Sequence, residues 1–357
     1  MAEQTLWEEM RYRMKIRGLG RVRQIVQSLK SRFVPGGIIL MYHRVAEKDM
    51  DPWYLCVTPQ HFAAHLEVLE KHAHPLSLAQ LAQSLHEGTI PDRAVVITFD
   101  DGYANNLYAA KPLLEFHRIP ATVFVTAGYV GKNREFWWDE LDRALLRPGA
   151  LPHILSLRMN GADREWDLGA AVAYSKDDYQ HDCAHDREPS HRVKFYYQIW
   201  ESLRPLSDAQ RQKTLDDILT WAGDASTARP SHCPLLPDEV RTLAEGGLVD
   251  VGAHTMSHEL LTVHPTDFQR VEIQQSKAYL EGLLGYSVTS FCYPFGKYTE
   301  DTITLVREAG FVCACSLIKD RVQRQSDRFQ LPRFGVLDWS GQEFERRLLG
   351  WFRGRRD

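Results

Sequence analysis

Apolar runs that stop abruptly at polar residues recur along this chain. The most pronounced is Val95-Val-Ile-Thr-Phe99, which leads directly into Asp100-Asp101-Gly102. A short unbroken run of β-branched and apolar residues predicts a strand buried on both faces, as in a parallel sheet. Ile38–Tyr42 before His43, Ile119–Thr126, Leu248–Ala253 before His254, Ser290–Tyr293 before Pro294-Phe295-Gly296, Phe311–Leu317 and Leu331–Trp339 repeat the pattern. Between them lie stretches with helical spacing, among them Thr58 to Leu69, Ser77 to Leu85, Asn105 to His117, Pro237 to Ala244, Thr266 to Gly285 and Glu300 to Ala309. Strands alternating with helices predict an α/β fold with a parallel sheet and right-handed crossovers. In such sheets the C-terminal strand ends face the ligand, so His43, Asp100, Asp101, His254 and Tyr293 are expected at one edge. An Asp-Gly pair also suits a hairpin turn. Here a helical pattern follows and no strand returns directly.

The pattern breaks from about Pro148 to Leu236, which is polar and irregular and then helical at Arg192–Arg204 and Ser207–Ala222. That stretch predicts a helical insertion, 148–236, lying over a main domain of 37–342. His181-Asp-Cys183-Ala-His185, with His191 nearby, has no common zinc spacing and reads as a solvated loop. Phe136-Trp137-Trp138 opens a helix whose paired tryptophans suit contact with sugar rings, with core packing the expectation for at least one of them. Residues 1–36 predict a peripheral basic helical segment, and 343–357 a basic tail.

Composition narrows the function classes. With 357 residues, 44% apolar and 25% charged, the chain is of ordinary globular composition, and a net charge of -4 argues against general nucleic-acid binding. The ends are nevertheless basic, a pattern that suits peripheral contact with an anionic membrane as well as solvated helices. The six cysteines are scattered and read as small core residues. No apolar core follows the first basic residues, so the expected location is cytoplasmic, at most peripheral to an inner membrane.

One carboxylate with two histidines leaves an open position on a divalent ion, the arrangement of a catalytic site. His254-Thr-Met-Ser-His258 offers two imidazoles, expected on one side of a helical turn. A second carboxylate can then take a proton from water, and a histidine can protonate a leaving amine.

Thr98-Phe-Asp-Asp-Gly-Tyr103 together with His254-Thr-Met-Ser-His258 resembles the polysaccharide deacetylase family, the nodulation-factor deacetylase homology domain, over roughly Ile38 to Trp339. The resemblance implies a distorted (β/α) barrel of about seven parallel strands. It implies Asp100 as general base and Asp101, His254 and His258 as metal ligands. The family's Arg-x-Pro-Tyr motif is replaced here by Tyr293-Pro294-Phe295-Gly296, so Arg333 on a later strand is the expected substitute arginine, and the Tyr293 backbone N–H the expected oxyanion donor. No Leu-x-His follows Trp339. Met41-Tyr-His43 resembles the circularly permuted members, which makes His43 the expected general acid.

These expectations amount to a metal-dependent hydrolase that removes N-acetyl groups from an amino-sugar polysaccharide or glycolipid. Zinc is the default ion, and nickel, cobalt or iron suit the same ligands. An O-acetyl esterase and a non-catalytic carbohydrate-binding relative are the alternatives. A non-haem iron oxygenase shares the donor types, but not their order or an α/β pattern.

Overall fold

The computed structural model describes residues 36–47, 50–184, 188–224 and 227–356. The basic segment expected at 1–36 lies outside the described residues but for its last one.

Among the described residues, seven parallel strands follow one another across the main sheet: β1 (Ile38–Tyr42), β2 (Ala94–Phe99), β3 (Ala121–Val125), β4 (Val249–Ala253), β5 (Ser290–Cys292), β6 (Cys313–Cys315) and β7 (Phe334–Gly335), and the two-residue strand His74–Pro75 pairs with the start of β2 off this path. Their order across the sheet is β6-β5-β4-β3-β2-β1-β7. All six residues of β2 are buried, as a strand covered on both faces requires. In register, Tyr42 lies beside Phe99 and Phe99 beside Val123, so the strand ends come out level. Leu331 bridges to Cys315 of β6, while Phe334 pairs with Leu40 of β1. The last segment thus touches both sheet edges, and the sheet curls into the expected distorted (β/α) barrel.

Helices cover the outside. Pro59–His72 begins as its sequence predicts, with the Thr58 side chain accepting from the His61 N–H and proline in the first turn. It buries Phe62, Leu66 and Leu69, and the Phe62 ring lies 5.3 Å from Tyr42 and 5.7 Å from Phe99. Each such side chain contributes about 1.5–3 kcal/mol by leaving water. The basic tail expected from 343 onward belongs to a barrel helix, Gly341–Phe352. Its Phe344, Leu348 and Trp351 are buried, Trp351 stacks on Phe334 at 4.6 Å, and Arg346 and Arg347 pair with Glu343. Among the described residues no helix is long and apolar enough to cross a membrane.

The insertion is not wholly helical. It opens with an antiparallel hairpin, Ile154–Met159 against Ala162–Asp167, turning at Asn160 (φ 51°) and Gly161 (φ 79°). Leu155, Leu157 and Met159 alternate inward from it, joining Trp137, Leu141, Tyr196, Ile199, Leu203, Leu215 and Ile218 in a second core. The helices Trp137–Leu145, His191–Leu203 and Asp208–Trp221 supply the rest. Buried Arg192 fastens the layers by donating to the carbonyls of Leu145 (2.8 Å), Ala171 (2.5 Å) and Val172 (2.7 Å). Where a solvated loop was expected, His181 and Cys183 lie in the helix Lys176–Cys183, whose buried Asp182 accepts from Tyr174 and from the Ser190 N–H. His185 lies outside the described residues. Trp137 and Trp138 are core residues, 1% and 5% exposed.

Candidate metal and acid–base site

Two adjacent carboxylates on a strand would point to opposite faces, so the chain must turn between them to bring both to one cleft. It does so at once beyond β2: Asp101 has φ 76° and Gly102 φ 87°. The Asp100 N–H still extends the sheet, donating to Tyr42 O at 3.0 Å, while Asp101 O accepts from the Thr126 N–H at 3.0 Å. A Cβ on Gly102 would crowd Val125 at 3.1–3.3 Å and, at φ 87°, would be strained, so this turn favours glycine. Asp101 in the left-handed region costs about 1–2 kcal/mol, tolerated better by Asp than by most residues.

The histidines follow β4, but not on a helical turn. Thr255 (φ 64°) and His258 (φ 54°) fold the segment into a tight loop. Glu272 holds that loop by accepting from the Met256 and Ser257 N–H groups at 3.0 and 2.9 Å, and Thr255 Oγ1 accepts from the His258 N–H at 3.0 Å. His254 Nδ1 faces Cys292 O at 2.8 Å, which fixes that nitrogen as the donor and leaves Nε2 as a lone pair. Nε2 of His254 and of His258 lie 3.6 and 3.3 Å from Asp101 Oδ1.

These groups fit a divalent ion. Ligand atoms held about 2.0–2.1 Å from a tetrahedral zinc lie roughly 3.3–3.4 Å from one another, near the separations observed. Burial first, then the neighbouring His258 ring, pushes His254 down to about 4. Burial, with Arg211 next, pushes His258 down to about 3. Both imidazoles are therefore neutral ligands at neutral pH. Burial pushes Asp101 up against the opposing pull of His43 and His254, so its charge lacks a full counterpart within the protein. Trp138 and Phe295 wall the site, their rings 4.8 and 4.7 Å from His258.

Asp100 is treated differently. Arg333, 2% exposed, grips it with two hydrogen bonds of 2.7 Å, one to each carboxylate oxygen. The guanidinium is itself fixed by Ser316 O at 3.0 Å and Thr98 Oγ1 at 3.2 Å. Burial pushes the Asp100 carboxyl up, but the Arg333 charge and hydrogen bonds outweigh it and hold Asp100 well below the usual carboxylate range. The arginine expected on a later strand is thus the partner of Asp100. Cys292 sits between them, its Sγ 3.0 Å from Arg333 Nη2 and 3.6 Å from Asp100 Oδ2.

His43 follows β1 as a half-buried residue at the same edge. Burial lowers its pKa, while Asp101 and Asp100 act to raise it and Arg333 and His254 to lower it, so its ring shares the field of the cluster. Tyr293 departs from expectation. Its N–H donates to Cys315 O at 3.3 Å in the β5–β6 pairing, and its hydroxyl to Phe329 O at 3.0 Å. An amide engaged in the sheet is not an available oxyanion donor. The turn beyond it, where Phe295 has φ 56°, is closed by Gly296 N–H to Tyr293 O and Lys297 N–H to Pro294 O, bonds that leave out the Phe295 N–H.

Thr98, Cys292 and Glu272, which support the site, were not singled out by the sequence. Thr98 interrupts an otherwise apolar strand, a signal that was available, but nothing local marks Glu272, which arrives from a distant helix.

A second buried group, Asp139, Asp142 and His232, also brings ligand-type atoms within 4.8 Å of one another. Its carboxylates are already engaged, Asp142 by Arg229 at 2.9 Å and Asp139 by the Tyr103 hydroxyl at 2.7 Å. Arg44 adds its charge over the Tyr103 ring at 5.3 Å.

Comparison with known proteins bears on what this geometry does. A family model described as polysaccharide deacetylase matches residues 87–150 and 209–314, and the unmatched gap falls within the insertion. A poly-β-1,6-N-acetyl-D-glucosamine N-deacetylase of Staphylococcus epidermidis is 31% identical over 109 residues, 27% of this chain and 38% of that protein. The enzyme of that name from Escherichia coli K12 is 28% identical over 88 residues, 24% of this chain and 13% of that protein. The chain therefore aligns with well under half the length of these relatives. Among solved structures, the Streptococcus pyogenes deacetylase PplD, in complex with acetate, superposes with a TM-score of 0.55 at 17% identity, covering 90% of this chain and 99% of that one. IcaB from Ammonifex degensii gives 0.54 at 18% identity, covering 89% and 97%.

Proposed function

Since the chain belongs to the polysaccharide deacetylase family, we propose that it is a metal-dependent hydrolase that removes N-acetyl groups from an amino-sugar polysaccharide or glycolipid, releasing acetate. The observation that carries this reading is the division of labour between Asp100 and Asp101. One is held by Arg333 and the other faces two neutral imidazoles. The names of the curated relatives, which specify N-deacetylation of a β-1,6-linked N-acetylglucosamine polymer, favour an amide substrate over an ester.

Asp101, His254 and His258 would hold the ion. A divalent cation there supplies Lewis acidity, polarising the acetyl carbonyl and making water a better nucleophile near neutral pH. Asp100, kept ionised by Arg333, accepts the proton of the attacking water. Each of its oxygens retains a lone pair beyond the one given to arginine. With the Tyr293 amide engaged by Cys315, the backbone N–H of Phe295, in the turn whose ring packs on His258, would serve as the donor to the developing oxyanion. His43 carries the proton to the sugar nitrogen as the C–N bond breaks, so that an amine leaves rather than an amide anion. Trp138 and Phe295 limit water at the cluster.

The reading is tested by replacing Asp100 with Asn and following acetate release from an N-acetylated chito-oligosaccharide with bound metal assayed in parallel. Loss of a general base removes about 10²–10⁴-fold in rate, and the metal should stay. Undiminished acetate release would refute the assignment.

A further inference from the structure

His43 and Asp100 leave neighbouring strands of the barrel, and the sheet stops ordering their relative positions just where chemistry requires it. The last ladder bond between β1 and β2 is Asp100 N–H to Tyr42 O at 3.0 Å. The next carbonyl, His43 O, lies beyond the ladder. It accepts instead from the side chain of Asn106, Nδ2 to O 2.9 Å. Asn106 is 1% exposed and opens a π-helical turn, Asn106–Ala110, a form that concentrates at functional sites.

The same short piece of chain holds the residues after His43. Asn105 Oδ1 accepts from the Val45 N–H at 3.2 Å, and the Arg44 guanidinium lies over the Tyr103 ring at 5.3 Å. The segment from Asp100 to Asn106 therefore carries both carboxylates and the side chains that, beside the Arg44 N–H to Leu55 O bond of 3.0 Å, grip the backbone on which His43 is mounted. The Asn106 N–H donates to Tyr103 O at 3.0 Å, which ties the grip to the turn at Asp101 and Gly102.

We infer that Asn106 is a positioning residue for proton donation. By holding the His43 carbonyl it sets the place of the His43 ring relative to Asp100 and Asp101, so that the donor and the base lie on opposite sides of one acetyl group. This rests on His43 being the proton donor in the reaction proposed above. Asn106 itself touches no substrate.

A positioning role for the acid differs from a general structural role in one measurable way. An amine leaves poorly unless protonated, whereas 4-nitrophenolate leaves unaided, so misplacing the acid harms only the first reaction. Wild type, Asn106→Ala, the isosteric Asn106→Asp, and His43→Ala are compared as zinc-loaded full chains on an N-acetylated chito-oligosaccharide and on 4-nitrophenyl acetate. A small displacement of a catalytic group costs up to about a hundredfold. Both Asn106 variants should therefore lose about tenfold to a hundredfold in kcat on the oligosaccharide with KM little changed, stay within about twofold on the activated ester, and keep their zinc. The Asp variant keeps the volume while replacing the donor with an acceptor, so it serves even if the Ala variant does not fold. Equal losses on both substrates, or no loss on either, would overturn the inference. If His43→Ala shows no split between the substrates, or wild type releases acetate from neither, the underlying reading has failed instead. If His43→Ala shows the split and the Asn106 variants do not, only the role of Asn106 is wrong.

Discussion

Two buried clusters in this protein contain the same kinds of side chain and do opposite things with them. At the barrel edge are Asp100, Asp101 and two histidines; beneath the insertion are Asp139, Asp142 and His232. Both have arginines near by. In the second cluster Arg229 binds Asp142 and Glu135 and the Tyr103 hydroxyl donates to Asp139, so each carboxylate has a partner inside the protein. In the first, Arg333 pairs with both oxygens of Asp100, and Asp101 is left facing the two imidazoles. Residue type alone does not make a site; uncommitted donor atoms converging on one point do.

The comparison breaks most sharply if Asp101 or His258 is removed. Asp101→Ala and His258→Ala should each abolish zinc retention and lower acetate release by at least about a thousandfold, whereas His232→Ala should leave zinc content and rate near wild type. Metal analysis with an acetate assay checks all three. Next in size is loss of an arginine. Arg333→Met and Arg229→Met each strand a buried carboxylate, and each should cost about 3–5 kcal/mol in denaturant unfolding. Arg333→Met should also cripple turnover because Asp100 loses its orientation; Arg229→Met should not.

A smaller effect is expected in the pH dependence of stability. Burial, opposed by Arg229, pushes Asp142 up to about 7. A carboxyl whose folded-state pKa is raised adds stability that is fully present below its unfolded value, about 3.9, and is lost as pH rises through the folded one. Relative to Asp142→Asn, wild type should therefore lose stability between about pH 4 and pH 7. An equal pH dependence in both would contradict the assignment. The smallest effect concerns Trp138, whose ring packs on His258 while its Nε1 donates to Tyr103 at 2.8 Å. Trp138→Phe keeps the packing and loses the donor, and should weaken zinc affinity by about tenfold, the low end for supporting contacts around a metal.

Much of the barrel was legible because buried parallel strands write themselves as uninterrupted apolar runs: Val95–Phe99, Ile38–Tyr42 and Leu248–Ala253 all read correctly as strands ending in polar side chains. The hairpin 154–167 was not, because its second strand, Ala162–Asp167, is largely exposed and lacks an apolar face. Asn160-Gly161 was nonetheless a turn signal of the right kind. The pairing of Arg333 with Asp100 could be expected only from resemblance, since it joins residues from different strands. The turn at Asp101 was marked by its Asp-Gly pair, but the left-handed residues Thr255 and His258 left no clear local mark, and the fourfold histidine spacing suggested a helix that a loop replaced. The Tyr293 amide was misjudged because nothing in its sequence tells that β6 will claim it.

The most direct test of the central claim is to strip the 357-residue chain of metal and titrate zinc back while recording acetate release from an N-acetylated glucosamine oligomer. The account predicts that activity is absent without metal and rises linearly to a plateau at one equivalent, and that the Asp101→Ala protein stays inactive throughout. Acetate release by the metal-free protein, or a plateau reached equally well without Asp101, would contradict it.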